Sequence, residues 1–152
     1  MIQRIQTIWL FLATLVILLL LLIPVVTKQV NGTDYWIVAT GLYQKNAQGV
    51  SKMQGFLPLL ITTVATAFIS LFNIFNYTNR TLQKRIALIN IVFIVGLSFW
   101  LFQAAEKIPG GLENAAYNLG AVFPILAIIF VGLALRGINH DEKLIRSADR
   151  LR

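Results

Sequence analysis

Four apolar runs, Thr7–Val26, Leu57–Phe75, Ile86–Phe102 and Leu119–Leu135, contain no Asp, Glu, Lys, Arg or His, and together they take up about half of the 152 residues. A helix rises about 1.5 Å per residue and satisfies its own backbone polar groups, so ~17–20 apolar residues suit a hydrocarbon core ~30 Å thick. The expected fold class is an all-α integral membrane protein, a single membrane domain over residues 1–152 with four transmembrane helices. The chain is 57% hydrophobic and 12% charged; a soluble protein of this length has too little interior to hide that much apolar surface. The first run follows Arg4 in the manner of a signal peptide. It is longer than a signal core, however, and Leu22-Ile23-Pro24-Val25-Val26 lacks a small-x-small cleavage pattern, so an uncleaved span is expected. The absence of cysteine removes disulfides, thiolate metal sites, thiol redox chemistry and cysteine-linked lipids.

Four spans put the N-terminus, the middle loop and the tail on one side. That side carries Arg4, Arg80, Lys84, Arg85, Arg136, Lys143, Arg146, Arg150 and Arg152, nine of the 13 basic residues and every arginine of the chain. The other side carries Lys28, Lys45, Lys52 and Lys107. The positive-inside rule therefore places both termini in the cytoplasm of a multi-pass protein, here of a bacterial inner membrane. A net charge of +7 also raises the question of nucleic acid. The cations flank spans and are interleaved with Asp141, Glu142 and Asp149, a pattern of topology signals and lipid headgroup contacts rather than of nucleic-acid binding.

The outer loop over residues 27–56 contains a β-forming stretch, Asp34–Thr40, then Leu42-Tyr43-Gln44 and a turn-like Lys45–Gly49, which together predict a small β-hairpin or meander. It reads as a cap over the helix ends, with Tyr35, Trp36 and Tyr43 at the membrane interface, or as a recognition surface. Pro58 falls in the first turn of the second span, where a missing N–H costs little. In the third loop, Ile108-Pro109-Gly110-Gly111 marks a turn. Glu106 and Glu113 nearby have neither a histidine nor metal-ligand spacing around them, so they read as solvated charges and not as acid/base groups.

Within the spans, Thr62, Thr66, Ser70 and Asn73 fall within about 80° of a helical wheel. Such a stripe is expected to hydrogen-bond a neighbouring helix, with Asn90 and Ser98 as the nearest partners in sequence, and less readily to line a solute path, since no ionisable group accompanies it. Pro124 is expected to kink the outer third of span four. After that span, Ile138, Leu144, Ile145, Ala148 and Leu151 occupy about 140° of a wheel, opposite Glu142, Lys143, Arg146, Asp149 and Arg150. This predicts a cytoplasmic amphipathic helix over 136–152, its polar face internally paired through Glu142 with Arg146 and Arg146 with Asp149. His140 stands alone beside two acids and reads as a surface residue. The Asn-x-Ser/Thr triplets at Asn31, Asn76 and Asn79 are too short to carry weight.

The start Met1-Ile2-Gln3-Arg4-Ile5-Gln6-Thr7, the segment Asn79-Arg80-Thr81-Leu82-Gln83, Pro124, and the ending Leu133–Ile138, Asp141–Leu144 and Arg146–Arg152 resemble the small four-span bacterial membrane proteins of domain-of-unknown-function family 4293. The resemblance covers the whole length and implies an inner-membrane protein with no established activity, cofactor or catalytic residues; His140 stands where a basic residue is expected. A second likeness is architectural only: a β-rich first outer loop with Trp36 and Gly41-Leu42-Tyr43 resembles the claudin layout, without its cysteine pair.

The leading expectation is a non-enzymatic accessory or scaffold subunit. It would have no catalytic, cofactor-binding or metal residues, and would meet another inner-membrane or cytoplasmic protein through Arg4, Arg80, Gln83, Asp141, Glu142, Arg146, Asp149 and Arg150. The alternative is a small-molecule carrier or channel acting as an oligomer, for which only the stripe Thr62, Thr66, Ser70, Asn73 with Asn90 offers polar groups. The remaining contact is the lipid bilayer. Arg80 is further expected to meet Asp141 or Glu142 in a bidentate contact that anchors the tail helix under the spans.

Overall fold

The computed structural model of the chain describes residues 3–47 and 49–149, with side chains over 5–47 and 49–143. Its elements run α1 Gln3–Leu19, β1 Val26–Val30, β2 Thr33–Val38, β3 Gly41–Asn46, β4 Gly49–Gly55, α2 Leu57–Phe75, α3 Arg80–Ala105, β5 Ala116–Tyr117, a 3-10 turn Leu119–Ala121 and α4 Phe123–Asp149. The fold is therefore α plus β and not all-α. In place of a hairpin appended to a loop, it holds a five-stranded antiparallel sheet in the order β4-β3-β2-β1-β5.

The sheet is larger than expected because it recruits residues from both ends of what looked like loop. Pro24 has no N–H to continue a helix and biases Ile23 away from helical geometry. The α1 helix tightens into i→i−3 bonds at Leu20, Leu21 and Leu22, and Val25 N–H then bonds Ile37 O at 2.8 Å. Val26 thus opens β1, with Val25 bonded to β2 just before it, and neither of these last residues of the first apolar run belongs to a membrane helix. Asn31 and Gly32, with φ of 50° and 78°, supply the left-handed pair of a tight hairpin between β1 and β2. The third loop closes the other edge: β5 pairs with β1 through Thr27 and Ala116. Sheet and helices are stitched together where Ala39 N–H reaches Leu20 O at 2.9 Å and Gly120 N–H reaches Pro24 O at 3.2 Å.

Pro124 lies in the first turn of α4, where no intrahelical partner for its nitrogen exists, so it starts that helix and does not kink it. The α4 helix then continues without a break to Asp149. The expected separate tail helix over 136–152 is its extension, and residues 150–152 lie outside the described residues. The α3 helix starts on Asn79, whose side chain accepts from Leu82 N–H at 3.1 Å.

Each helix packs against two others, α1 on α4 and α2, α3 on α2 and α4. The buried positions alternate by three and four: Gln6, Leu10, Ala13, Ile17 and Leu20 in α1; Leu59, Thr63, Thr66, Ser70 and Asn73 in α2; Gln83, Ala87, Asn90, Ile94, Leu97 and Leu101 in α3; Ala127, Val131, Ala134, Ile138 and Asp141 in α4. That is the seam of coiled-coil-like packing. Facing outward are large apolar side chains such as Phe68, Val92 and Phe99, each at least 64% exposed, a surface that water does not tolerate at this density. Three helices, Leu57–Phe75, Arg80–Ala105 and Phe123–Lys143, are long and apolar enough to cross a membrane. The apolar part of α1, Ile5–Leu19, is shorter.

Candidate functional site

All four seams end, on the side away from the sheet, in a buried polar residue. Gln6 begins the seam of α1, Asn73 ends that of α2, Gln83 begins that of α3 and Asp141 ends that of α4. Buried amides and carboxylates are costly unless paired, so this layer survives only through its mutual contacts. Asn73 Nδ2 donates to Gln83 O at 3.1 Å and Gln83 Nε2 donates to Asn73 O at 3.3 Å, a reciprocal pair that ties α2 to α3. One turn deeper, Asn90 Nδ2 donates to Ser70 Oγ.

Asp141 is the centre of the other half. Gln6 Nε2 donates to its Oδ2 at 2.5 Å, and Arg80 Nη1 lies 3.9 Å from the same oxygen. The bidentate contact expected of Arg80 is absent: the guanidinium sits at charge-contact distance, and both Arg80 Nη1 and Asp141 Oδ1 are buried without a hydrogen-bond partner. Lys84, one turn after Arg80, donates to Glu142 Oε2. Two cations of α3 therefore meet two consecutive acids of α4 while α1 contributes an amide, and the layer carries no net charge. Chemically it is a clamp: it fixes where α4 leaves the helical layer. Among the described residues no group of three or more His, Cys, Asp or Glu is placed to hold a metal ion.

Of the residues singled out from the sequence, Arg80, Gln83, Asp141 and Glu142 come together here. Arg4, Arg146 and Asp149 lie on α1 and α4, but their side chains fall outside the described residues, and Arg150 lies outside them altogether. Gln6 and Lys84 were missed. Gln6 carried a signal, since it continues backward the spacing of Leu10, Ala13 and Ile17. Within the stripe, Ser70, Asn73 and Asn90 bridge helices, whereas Thr66 Oγ1 bonds Thr62 O at 2.6 Å and Thr62 Oγ1 bonds Leu59 O at 3.0 Å, within their own helix. Ser98 likewise bonds Ile94 O at 2.8 Å and is not a partner of the stripe. A Ser70→Ala, Asn90→Ala double-mutant cycle is expected to show a coupling of about 0.6 kcal/mol in detergent unfolding, while Thr66→Val is close to neutral. A Thr66→Val loss equal to the Asn90→Ala loss would contradict the assignment.

A family model described as Domain of unknown function (DUF4293) matches residues 2–151. No curated protein and no solved structure matches the chain.

Proposed function

Because the chain belongs to the DUF4293 family, whose description assigns no reaction, we propose a role from geometry: a non-enzymatic scaffold or accessory subunit of the bacterial inner membrane. Its cytoplasmic face is the partner-binding surface. The observation that carries this reading is the clamp, which ties α4 to α1 and α3 where α4 runs on past its apolar run, which ends at Leu135, to Asp149. A helix held by Gln6, Arg80 and Lys84 at its root projects in a fixed direction, with Arg146 and Asp149 along it, as a docking element for a second protein requires.

Orientation follows from charge, with the clamp end cytoplasmic and the sheet on the outer side. In this arrangement α1, about 25 Å long by helix rise, crosses with the help of the turn that follows it. Cysteines introduced at Asn46 and Gly111 are expected to label from outside in right-side-out vesicles, and those at Thr81 and Ser147 only after lysis. Labelling of Ser147→Cys from outside overturns the orientation. A carrier or channel has less support: Leu10, Ile17, Leu59, Ile94 and Val131 are fully buried between the helices, so a path would have to run between copies. Copurification of the tagged full-length protein in mild detergent tests the scaffold reading. A stoichiometric partner, lost on charge reversal of Arg80 and Lys84, is expected; a lone chain removes its basis.

A further inference from the structure

At the opposite end of the molecule, one face of the sheet carries a graded row. Register pairs Lys52 with Tyr43, Tyr43 with Trp36, Trp36 with Thr27 and Thr27 with Ala116, so these five side chains stand side by side across all five strands. Lys52 Nζ lies 5.7 Å from the Tyr43 ring centre. Tyr43 and Trp36 stack at 5.9 Å with an interplanar angle of 11°. Past Trp36 the row drops from aromatic rings to Thr27 and Ala116, whose side chains are too short to cover the second face of the indole.

The step leaves a hollow of about 570 Å³ whose lining includes Trp36, Thr27 and Ala116 but not Tyr43. That size is ordinary for a small-molecule site. Gln29, Asp34, Lys45 and Asn114 also line it. Gln29 and Asp34 are register partners, as are Asp34 and Lys45. Yet no ion pair joins Asp34 to Lys45 among the described residues, so carboxylate and ammonium are both free to meet a ligand. Lys28 also lines the hollow, with its ammonium committed to the carbonyls of Gly110 and Gly111 at 2.6 and 2.8 Å.

The open indole face of Trp36, a carboxylate acceptor, the uncommitted Lys45 ammonium and two amides that both donate and accept describe a particular chemistry. We propose that this hollow binds a neutral carbohydrate, a sugar ring lying with its C–H face on Trp36 and its hydroxyls bonded to Asp34, Gln29, Asn114 and Lys45. Charges of both signs line the hollow, which selects against a ligand with net charge: a quaternary ammonium would meet Lys45 and Lys28, and an anion would meet Asp34. The site lies on the sheet, and stands or falls independently of the clamp and of any cytoplasmic partner.

The test uses the full-length protein in lipid nanodiscs, purified without sugar-headed detergents, with Trp9→Phe and Trp100→Phe leaving Trp36 as the chain's one tryptophan, excited selectively over its tyrosines. Titration with chitotriose or maltotriose is expected to change Trp36 emission saturably. Asp34→Asn should weaken binding roughly tenfold, the loss of a hydrogen bond to a charged group. Ala116→Leu, at an exposed position, fills the floor without touching the aromatic pair and should abolish binding with circular dichroism and thermal midpoint unchanged. A second arm places a diglucosyl diacylglycerol in the disc: a response to it alone assigns the sugar to a lipid headgroup, and a response to the soluble trisaccharide assigns a free glycan. Absence of a saturable change with any of the three sugars overturns the proposal. So does binding that survives Ala116→Leu, or tighter binding of choline or inorganic phosphate than of sugar.

Discussion

Asp141→Ala will lower the stability of the folded protein by about 3 kcal/mol, the low end of what removing one partner of a buried ion pair costs. Three contributions add at this position. The Gln6 amide loses its acceptor in a place where it is 6% exposed, so no water takes over without opening the helix ends. The Arg80 guanidinium, whose side chain is 23% exposed, keeps its charge next to a carboxylate that is gone. A cavity also opens where the carboxylate is removed from a position only 5% exposed. The loss stays at the low end because Arg80 stands 3.9 Å away and is partly hydrated, which screens its charge. Asp141→Asn is the informative comparison. It retains an oxygen for Gln6 and surrenders only the charge, so it should cost about 1 kcal/mol. Reversible unfolding in bicelles measures both, with proteolysis after Arg136 as a local readout of α4. Equal and small losses, below about 0.5 kcal/mol for the two variants, would mean that Asp141 is solvated and that no clamp exists.

Much of the helical layer was legible because period-3.6 apolar patterns survive any tertiary context: Leu57–Phe75 is one uninterrupted helix, whereas α3 starts at Arg80 on its Asn79 cap, ahead of the apolar run Ile86–Phe102 that marked it in the sequence. The failures lie where an apolar run changes secondary structure without changing hydropathy. Leu20 through Val26 is continuous apolar sequence, and hydrophobicity alone does not separate the end of a buried helix from the start of a buried strand. Pro24 and the β-branched Val25, Val26 and Thr27 were the available signals, as was Asn31-Gly32 for the hairpin that follows. Reading a membrane span through Val26 hid both. Strand β5 left no trace that could have been read, since two residues, Ala116 and Tyr117, pair only because the end of α3 delivers them to the edge of β1. In the polar stripe the sequence located Ser70, Asn73 and Asn90 but could not separate them from Thr62 and Thr66. A threonine hydroxyl returns to its own helix whenever no partner is nearer, and distance to a partner is a tertiary quantity. The clamp was half legible for a similar reason: charges at Arg80, Asp141 and Glu142 announce themselves, while Gln6 is a neutral residue whose role depends on α1 lying beside α4.

Gly41→Ala will cost the sheet about 2–4 kcal/mol, because two independent penalties coincide there. The φ of Gly41 is +153°, in the region that L side chains rarely adopt. A Cβ at this position would also lie 2.3 Å from Gln54 O and 3.3 Å from Gln54 C, backbone atoms of β4 that cannot rotate aside. The close approach exists because the β3–β4 register shifts between Leu42 and Tyr43: Leu42 faces Gln54, whereas Tyr43 faces Lys52, leaving Met53 unpaired. Relieving the clash means sliding β4 outward, which would carry Lys52 off the Tyr43 ring and withdraw support from the Tyr43–Trp36 stack. Gly49→Ala separates the two penalties. Its φ of +127° carries backbone strain, but nothing lies within 4 Å of the new Cβ, so the expected loss is about 1 kcal/mol and local to the β3–β4 tip. Amide hydrogen exchange reads the difference directly. Gly41→Ala should accelerate exchange through β2, β3 and β4 together, while Gly49→Ala should accelerate it only in residues next to the turn. If the two variants exchange alike, β4 is not held against Gly41, and the bulge does not set the position of the aromatic row.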